Sequence, residues 1–403
     1  MKYKNIVIMG LGYIGLPTAA LIAGKKIHVY GVDINLEIVN TINDGKIHII
    51  EPDLEGLVEY SVRNNYLKAF IEPCKADVFI ITVPTPFKDN YKPDISYIQQ
   101  SINMILPYLE EDNLIIIEST SPVGTTEKMA DYVFSKKQGL KDKLFFAYCP
   151  ERVLPGRIIY ELEHNDRVIG GINEASSQEA FNFYSLFVKG KLHITDARTA
   201  EMCKLVENSF RDVNIAFANE LSLICDKACI NVWELINLAN KHPRVNILSP
   251  GVGVGGHCIA VDPWFLVHDY KDEARIIKAA REINNYKTEW VIKKISYRIE
   301  LFKKNNNKMP KIACMGLSFK PNIDDLRESP ALYVTENLIR QGYDIMSVEP
   351  NIRNHKKYKI YDYKQAVKEA DIIVFLVAHK EFLNMDIKNK ETLDFCDVHG
   401  IKK

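Results

Sequence analysis

At 403 residues the chain exceeds what one ordinary hydrophobic core supports, so two or three domains are expected. Hydrophobic residues make up 47% and charged residues 26%, with 52 basic against 52 acidic side chains, the profile of a soluble enzyme or binding protein and not of a nucleic-acid binder. The lysine-rich runs at 303–308 and 356–357 are short and read as solvated loops, while the 8 cysteines lack zinc or redox spacing, which points to no metal and to a reduced, cytoplasmic setting.

The segment from Ile6 to Gly24 carries no charge and follows Lys2 and Lys4, as a signal peptide or membrane anchor would. Gly10, Gly12, Gly15 and Pro17 interrupt it, and it leads into a strand ending in Asp33, so it reads as strand, glycine turn and helix. No other uncharged run approaches spanning length, and no membrane partner is expected. Asn5 to Met9 is a buried-strand run feeding Gly10-Leu11-Gly12-Tyr13-Ile14-Gly15, the G-x-G-x-x-G turn that brings backbone N–H groups to a pyrophosphate. Asp33 closes the next strand, where an acidic side chain holds ribose hydroxyls and repels a ribose phosphate, so the expected cofactor is NAD and not NADP. Further strands are expected at 77–83 and 114–118, which puts Thr85 and the stretch from Thr120 to Thr126 at strand carboxyl ends, where open parallel sheets bind ligands. Capping helices is the alternative use for these threonines.

From about Thr199 to Asn240 and from Glu273 to Phe302, apolar residues recur at helical spacing, predicting a helical connector and a natural dimer surface. Lys204, Asn208 and Arg211 share one helix face, expected to be the wet one, with Leu205, Val206, Phe210 and Val213 opposite. Cys225 and Cys229 are placed four apart on the same helix, as packing residues. Next comes Gly251-Val252-Gly253-Val254-Gly255-Gly256-His257-Cys258, a glycine-dense loop that displays a thiol, followed by Asp262 as a possible proton-transfer partner. A glycine turn with an incidental buried cysteine is the alternative. The tail repeats the front: strand and turn at 311–316, helix at 329–341, strand at 344–348 closed by Glu349 as Asp33 closes its own, and Ala370 to Val377 echoing Ala76 to Val83. In the loop from Phe319 to Pro330, Lys320 and Arg327 could hold phosphates or pair with Asp324 and Asp325.

Gly10 to Pro17, Ser119-Thr120-Ser121-Pro122-Val123-Gly124, Cys149-Pro150-Glu151-Arg152, Glu201 to Asn208, the Cys258 loop, and Phe319-Lys320 through Arg327 make the chain resemble the UDP-glucose/GDP-mannose dehydrogenase family over nearly its whole length. The resemblance implies an α/β fold of two Rossmann-like doubly wound domains joined by a helical dimerisation domain. Its parts would be 1–195 for NAD, 196–302 for dimerisation and the catalytic loop, and 303–403 for the UDP-sugar. It implies NAD-dependent four-electron oxidation of a sugar C6 alcohol to a carboxylate, in a homodimer whose Arg244 is supplied across the interface. His257-Cys258-Ile259-Ala260-Val261-Asp262 and His242-Pro243-Arg244-Val245-Asn246 resemble the branch acting on UDP-N-acetyl-D-mannosamine; UDP-N-acetylglucosamine and UDP-glucose are the alternatives. Val252 stands where the pattern usually has proline, a loss expected to loosen the loop.

By the same resemblance Cys258 forms a thiohemiacetal and then a thioester, and Lys204 acts as acid–base and oxyanion-stabilising group and lowers the thiol pKa. Asn208 and Asp262 would place a water, and Glu151 would assist hydrolysis. Arg152, Val153, Lys204, Asn208, Arg211, His242, Arg244, Gly255, Phe319 and Lys320 would line the sugar-nucleotide pocket. Arg327 would reach the cofactor beside Gly10, Gly12, Tyr13, Ile14, Gly15, Asp33, Thr85, Thr120 and Thr126. The uronic acid product would feed a bacterial surface polysaccharide. Two rivals are a two-electron hydroxyacid dehydrogenase, which needs no thiol, and a non-catalytic NAD-binding protein.

Overall fold

The structure is a computed structural model that describes residues 2–398 apart from 89–90, 155, 384 and 388–389. The chain packs as two compact units, Met1–Val206 and Glu207–Lys403.

In the first unit β1 (Asn5–Met9), α1 (Gly15–Gly24), β2 (His28–Val32), α2 (Leu36–Asn43), α3 (Leu54–Arg63), β3 (Leu67–Phe70) and β4 (Val78–Ile81) come first. A short hairpin, β5 (Phe87–Lys88) with β6 (Lys92–Pro93), precedes α4 (Ser96–Ile105), β7 (Leu114–Ile117), α5 (Thr125–Lys136), β8 (Phe145–Tyr148), α6 (Ile158–His164), β9 (Arg167–Gly171), α7 (Glu174–Tyr184) and β10 (Leu192–Asp196). The large sheet runs β10-β9-β8-β7-β4-β1-β2-β3 and is parallel except where β8 meets β9. β4 and β7 are wholly buried, as strands covered on both faces must be, which is why their sequences are continuous apolar runs. Two helices start where a side chain satisfies a free N–H group: Asn35 caps α2 and Asn173 caps α7.

α8 (Ala197–Ala228) carries the chain into the second unit, followed by α9 (Val232–Ala239), α10 (Asp262–Asp269), α11 (Arg275–Asn306), β11 (Lys311–Met315), α12 (Pro330–Arg340), β12 (Asp344–Val348), α13 (Tyr363–Glu369), β13 (Ile372–Phe375) and β14 (Glu391–Asp394). The sheet β12-β11-β13-β14 is parallel throughout. The fold is therefore mixed α/β, with a wound parallel sheet at each end and a helical centre, as expected.

Two expectations for α8 are corrected. It ends at Ala228, so Cys229 lies just beyond it in the left-handed region, at φ 55°. Its faces are also not those of a surface helix. Asn208, Ser209, Asp212, Asn219 and Ser222 are buried, whereas Val206 and Phe210 are exposed, the latter at 68%. Leu205 and Arg211 lie as expected, one buried and one exposed. The polar side chains turn inward because α11 meets them with partners: Arg281 and Asn284 bond Asp212, and Lys287 bonds Ser222.

The two sheets share one turn geometry. Gly10 and Gly316 both have φ +94°, and their N–H groups donate to Val32 and Val348 at 2.8 and 2.9 Å. The Asp33 carboxylate accepts from Leu11 N–H at 3.0 Å, and Glu349 accepts from Leu317 and Ser318 N–H at 2.8 and 3.0 Å. Only Glu349 is sealed, because His379 Nε2 lies 3.0 Å from its Oε2 and neither side chain is exposed. Burial raises the Glu349 carboxyl, but the His379 hydrogen bond and charge with the backbone donors outweigh it and hold it at about 2.

A carboxyl lowered from its unfolded value of about 4.3 stabilises the fold above that value, and the contribution is lost as pH falls toward the folded pKa. Glu349→Gln is expected to lower stability by about 3 kcal/mol at neutral pH in urea unfolding, with the deficit shrinking between about pH 4.3 and 2. A deficit that stayed constant down to about pH 2 would show that the ionised pair is not its source.

Candidate active site

The chain leaves β1 toward β2 and β3 on one side and returns through β4, β7 and β8 on the other, which opens a crevice at the carboxyl ends of β1 and β4. At Gly15 a Cβ would stand 1.8 Å from the Gly10 carbonyl oxygen and 2.5 Å from Thr82 Oγ1, so α1 can close on β1 only through a glycine. At Gly12 a Cβ would meet nothing within 4 Å, leaving backbone open to an approaching diphosphate. Tyr13 is exposed beside it, and Ile14 precedes the first residue of α1. Asp33 is fixed by Leu11 N–H and by Asn35 N–H at 2.9 Å, one bond to each oxygen, which leaves each with further acceptor capacity. Glycine spacing, open backbone and a pinned acidic group together fit NAD.

Of the three threonines, Thr85 is buried and Thr120 half-buried. Thr126 is fully buried, and both its N–H and its hydroxyl donate to Glu201 Oε1, at 2.8 and 2.7 Å. Gly124 N–H donates to the other oxygen, so Glu201 anchors the 120–126 turn to α8.

Glu151 follows β8 and is buried against Arg167 at the start of β9, with Arg167 Nη2 2.6 Å from its Oε2. The same guanidinium reaches Glu118 at 3.4 Å and lies over the Tyr184 ring, whose hydroxyl also donates to Glu118. Burial, with the Glu151 charge nearby and against the pull of Arg167, raises Glu118 to about 7. Lys204 Nζ donates to the Glu151 carbonyl oxygen at 2.6 Å, and Arg152 N–H to the Glu151 carboxylate, also at 2.6 Å. Arg152 itself reaches the Asp166 carbonyl at 3.3 Å, and Val153 packs against the core beneath the loop. The structure thus brings Glu151, Arg152 and Lys204 together. Arg167 and Glu118 were missed in the sequence because an Arg opening a strand and a Glu closing one carry no spacing signal.

In the second unit Cys258 is exposed and its carbonyl accepts from Asp262 N–H at 2.8 Å, one turn ahead of α10. Asp262 is buried and accepts from Asn208 Nδ2 at 2.6 Å, so carboxylate and amide form a pair one turn after Cys258 in the chain. At Gly255 a Cβ would fall 2.3 Å from the Glu328 carbonyl and 2.8 Å from Phe319 Cβ, and Gly256 N–H donates to the Arg327 carbonyl at 3.1 Å. The cysteine loop therefore lies on the 319–330 loop. Burial and the Arg327 charge lower the His257 pKa below its ordinary value. Val252, expected to loosen the loop, has its side chain buried with Val291, Ile292 and Ile295, a packing contribution that the missing proline did not reveal.

Lys320 is exposed, and Arg327 forms a two-pronged pair with Asp325 at 3.0 and 2.6 Å, the pairing alternative noted for this loop. Burial pushes Asp325 upward but the Arg327 hydrogen bonds outweigh it and hold it below the usual carboxylate range. Arg211 is exposed. His242 and Arg244 stand apart on an exposed loop that Asn240 clips shut through both its amide atoms to Ile247. Among the described residues no group of three or more His, Cys, Asp or Glu is placed to hold a metal ion, and no helix is long and apolar enough to cross a membrane.

Comparison with known proteins agrees along the whole chain. The NAD binding domain of the UDP-glucose/GDP-mannose dehydrogenase family matches residues 4–188, its central domain 198–286, and its UDP binding domain 313–397. A UDP-N-acetyl-D-mannosamine dehydrogenase from Campylobacter jejuni is 52% identical, over 98% of this chain and 100% of its own. An NDP-N-acetyl-D-galactosaminuronic acid dehydrogenase from Ralstonia nicotianae is 49% identical, over 100% of this chain and 97% of its own. The solved structure of a UDP-D-ManNAc dehydrogenase from Pyrococcus horikoshii superposes with a TM-score of 0.90 at 39% identity, covering 99% of this chain and 96% of that one. Matched in three consecutive domains, the chain belongs to the UDP-glucose/GDP-mannose dehydrogenase family, with NAD as its cofactor and a UDP-sugar as its substrate.

Proposed function

We propose that this enzyme oxidises the C6 alcohol of UDP-N-acetyl-D-mannosamine to UDP-N-acetyl-D-mannosaminuronate, in the cytoplasm, for surface polysaccharide assembly. The observation that carries the reaction is the exposed Cys258 one turn from Asp262, itself bonded to Asn208. The full-length relative from Campylobacter jejuni supports the sugar, and cysteines that form no disulfide among the described residues support the compartment. The Ralstonia relative favours a second reading, an N-acetylgalactosamine nucleotide.

NAD, when bound along Gly10–Gly15 and Asp33, supplies the hydride acceptor for both oxidations. Lys204 takes the alcohol proton during the first and steadies the oxygen as the aldehyde forms. Cys258 Sγ then bonds to the aldehyde carbon, giving a thiohemiacetal whose C–H is oxidised to a thioester. Asn208 and Asp262 orient a water that attacks the thioester carbon, the C–S bond breaks, and the thiol regains its proton as the carboxylate leaves. Glu151, held by Arg167, assists this last step. One alcohol and one water thus become a carboxylate while two NAD are reduced.

Arg152, Val153, Arg211, His242, Gly255, Phe319 and Lys320 would hold the sugar nucleotide, with Arg244 supplied by a second copy and Arg327 reaching the cofactor. By role the chain divides into residues 1–195, 196–302 and 303–403. The second copy is supported by Phe210, Phe217 and Ile224, three exposed apolar side chains repeating every seven residues along α8.

NADH formation measured side by side should give UDP-N-acetyl-D-mannosamine a kcat/KM at least ~10-fold above those of UDP-N-acetylglucosamine, UDP-N-acetylgalactosamine and UDP-glucose. Preference for any of the other three would overturn the sugar assignment. For the dimer, Cys258→Ser and Arg244→Ala subunits, each inactive alone, should regain activity when refolded together, because one site of the mixed dimer then has both residues. No regain would place Arg244 in its own subunit's site.

A further inference from the structure

The cysteine loop must be held without side chains along much of its length, because Cβ atoms at Gly253 and Gly255 would fall 2.3 Å from Thr288 Oγ1 and from the Glu328 carbonyl. Its backbone is instead gripped at two peptide units, 250–251 and 252–253, on either side of the 251–252 peptide. Gly251 N–H donates to Asn219 Oδ1 at 2.9 Å, and the Val252 carbonyl accepts from the Thr288 hydroxyl at 2.9 Å.

The Asn219 amide cannot turn over, because a directional chain sets its orientation. Asp212, buried and bonded by Arg281 Nη1 at 2.7 Å, only accepts when ionised. Asn284 must therefore present its NH2 to Asp212, at 2.8 Å, and its oxygen to Asn219 Nδ2, also at 2.8 Å. That leaves the Asn219 oxygen, and not its nitrogen, facing Gly251. Asn208, Asp212 and Asn219 lie on one buried stripe of α8, so the helix that binds Asp262 also binds the start of the loop.

We infer that the relay Arg281–Asp212–Asn284–Asn219, with Thr288, clamps the loop that carries Cys258, making Asn219 and Thr288 positioning residues for the thiol's reaction. This rests on the activity proposed above. The clamp sets where the loop starts, Val252 packs it into the core, and Asp262 fixes its far end, so the thiol between them is presented at a defined place.

Two isosteric variants test it. Asn219→Asp replaces the donor that faces Asn284 with an acceptor, and Thr288→Val deletes only the hydroxyl; Thr288→Ser restores it. Hydrogen–deuterium exchange, which needs no substrate, is expected to speed up roughly tenfold at the amides of residues 251–258 in the first two variants and to stay near wild type in Thr288→Ser. With NAD and UDP-N-acetyl-D-mannosamine, kcat should fall at least ~10-fold in the first two, the KM for NAD staying within about twofold, and recover in Thr288→Ser. Should Asn219→Asp not fold, the Thr288 pair decides. Unchanged exchange overturns the clamp, and faster exchange with unchanged kcat overturns its positioning role. A wild-type protein that forms no NADH with any nucleotide sugar removes the activity instead, and exchange still judges the clamp.

Discussion

Everything placed around Cys258 depends on burying charge and amide groups inside the helical part of the chain. Asp212 on α8 is fully buried and Arg281 on α11 nearly so, a pair whose desolvation is offset only by close geometry and further hydrogen bonds. Removing either partner would leave an uncompensated buried charge, so the two helices are locked in register by a condition that apolar packing alone would not impose. Asn208, one turn before Asp212, holds Asp262; Asn219, two turns after it, holds Gly251. One helix face thus grips both ends of the cysteine loop.

The same constraint accounts for the outer face. Once polar residues occupy the inner stripe of α8, its aromatic and aliphatic residues are left outside at Phe210, Phe217 and Ile224. A surface of that kind is costly to leave in water and is ordinarily covered by another protein face. In the first unit, a comparable role falls to Arg167, which ties the buried carboxylates of Glu151 and Glu118 and leaves the Glu151 carbonyl to receive Lys204.

Much of this could be read from the chain. Apolar runs such as Val78–Ile81 and Leu114–Ile117 are buried on both faces and so appear directly as strands. The Gly10–Gly15 turn and the glycine-dense run before Cys258 were legible because close backbone approach tolerates no substitute there. The faces of α8 were not legible, since periodicity treats every polar residue as wet and cannot see that α11 offers Arg281 and Asn284 as partners. The antiparallel meeting of β8 and β9 was not legible for a similar reason: Arg167–Gly171 is short and opens on an arginine that is buried only because Glu118 and Glu151 lie beside it. The burial of Val252 was not legible either, since the core that receives it is assembled from α11, β11, α12 and β13.

The two wound sheets show how one geometry serves two tasks. Their glycine turns and strand-end carboxylates match, yet Asp33 keeps an open rim while Glu349 is sealed by His379. One acid accepts from backbone N–H groups of its own turn and the other is sealed by a histidine, and only the first sheet carries the complete glycine fingerprint.

The most direct measurement is the stoichiometry of NADH formed per UDP-N-acetyl-D-mannosamine consumed, for wild type and for Cys258→Ser. Two per sugar from the wild type, with at most one from the variant, is the expected result. Two from the variant would mean that the thiol is not the group that carries the aldehyde to the acid.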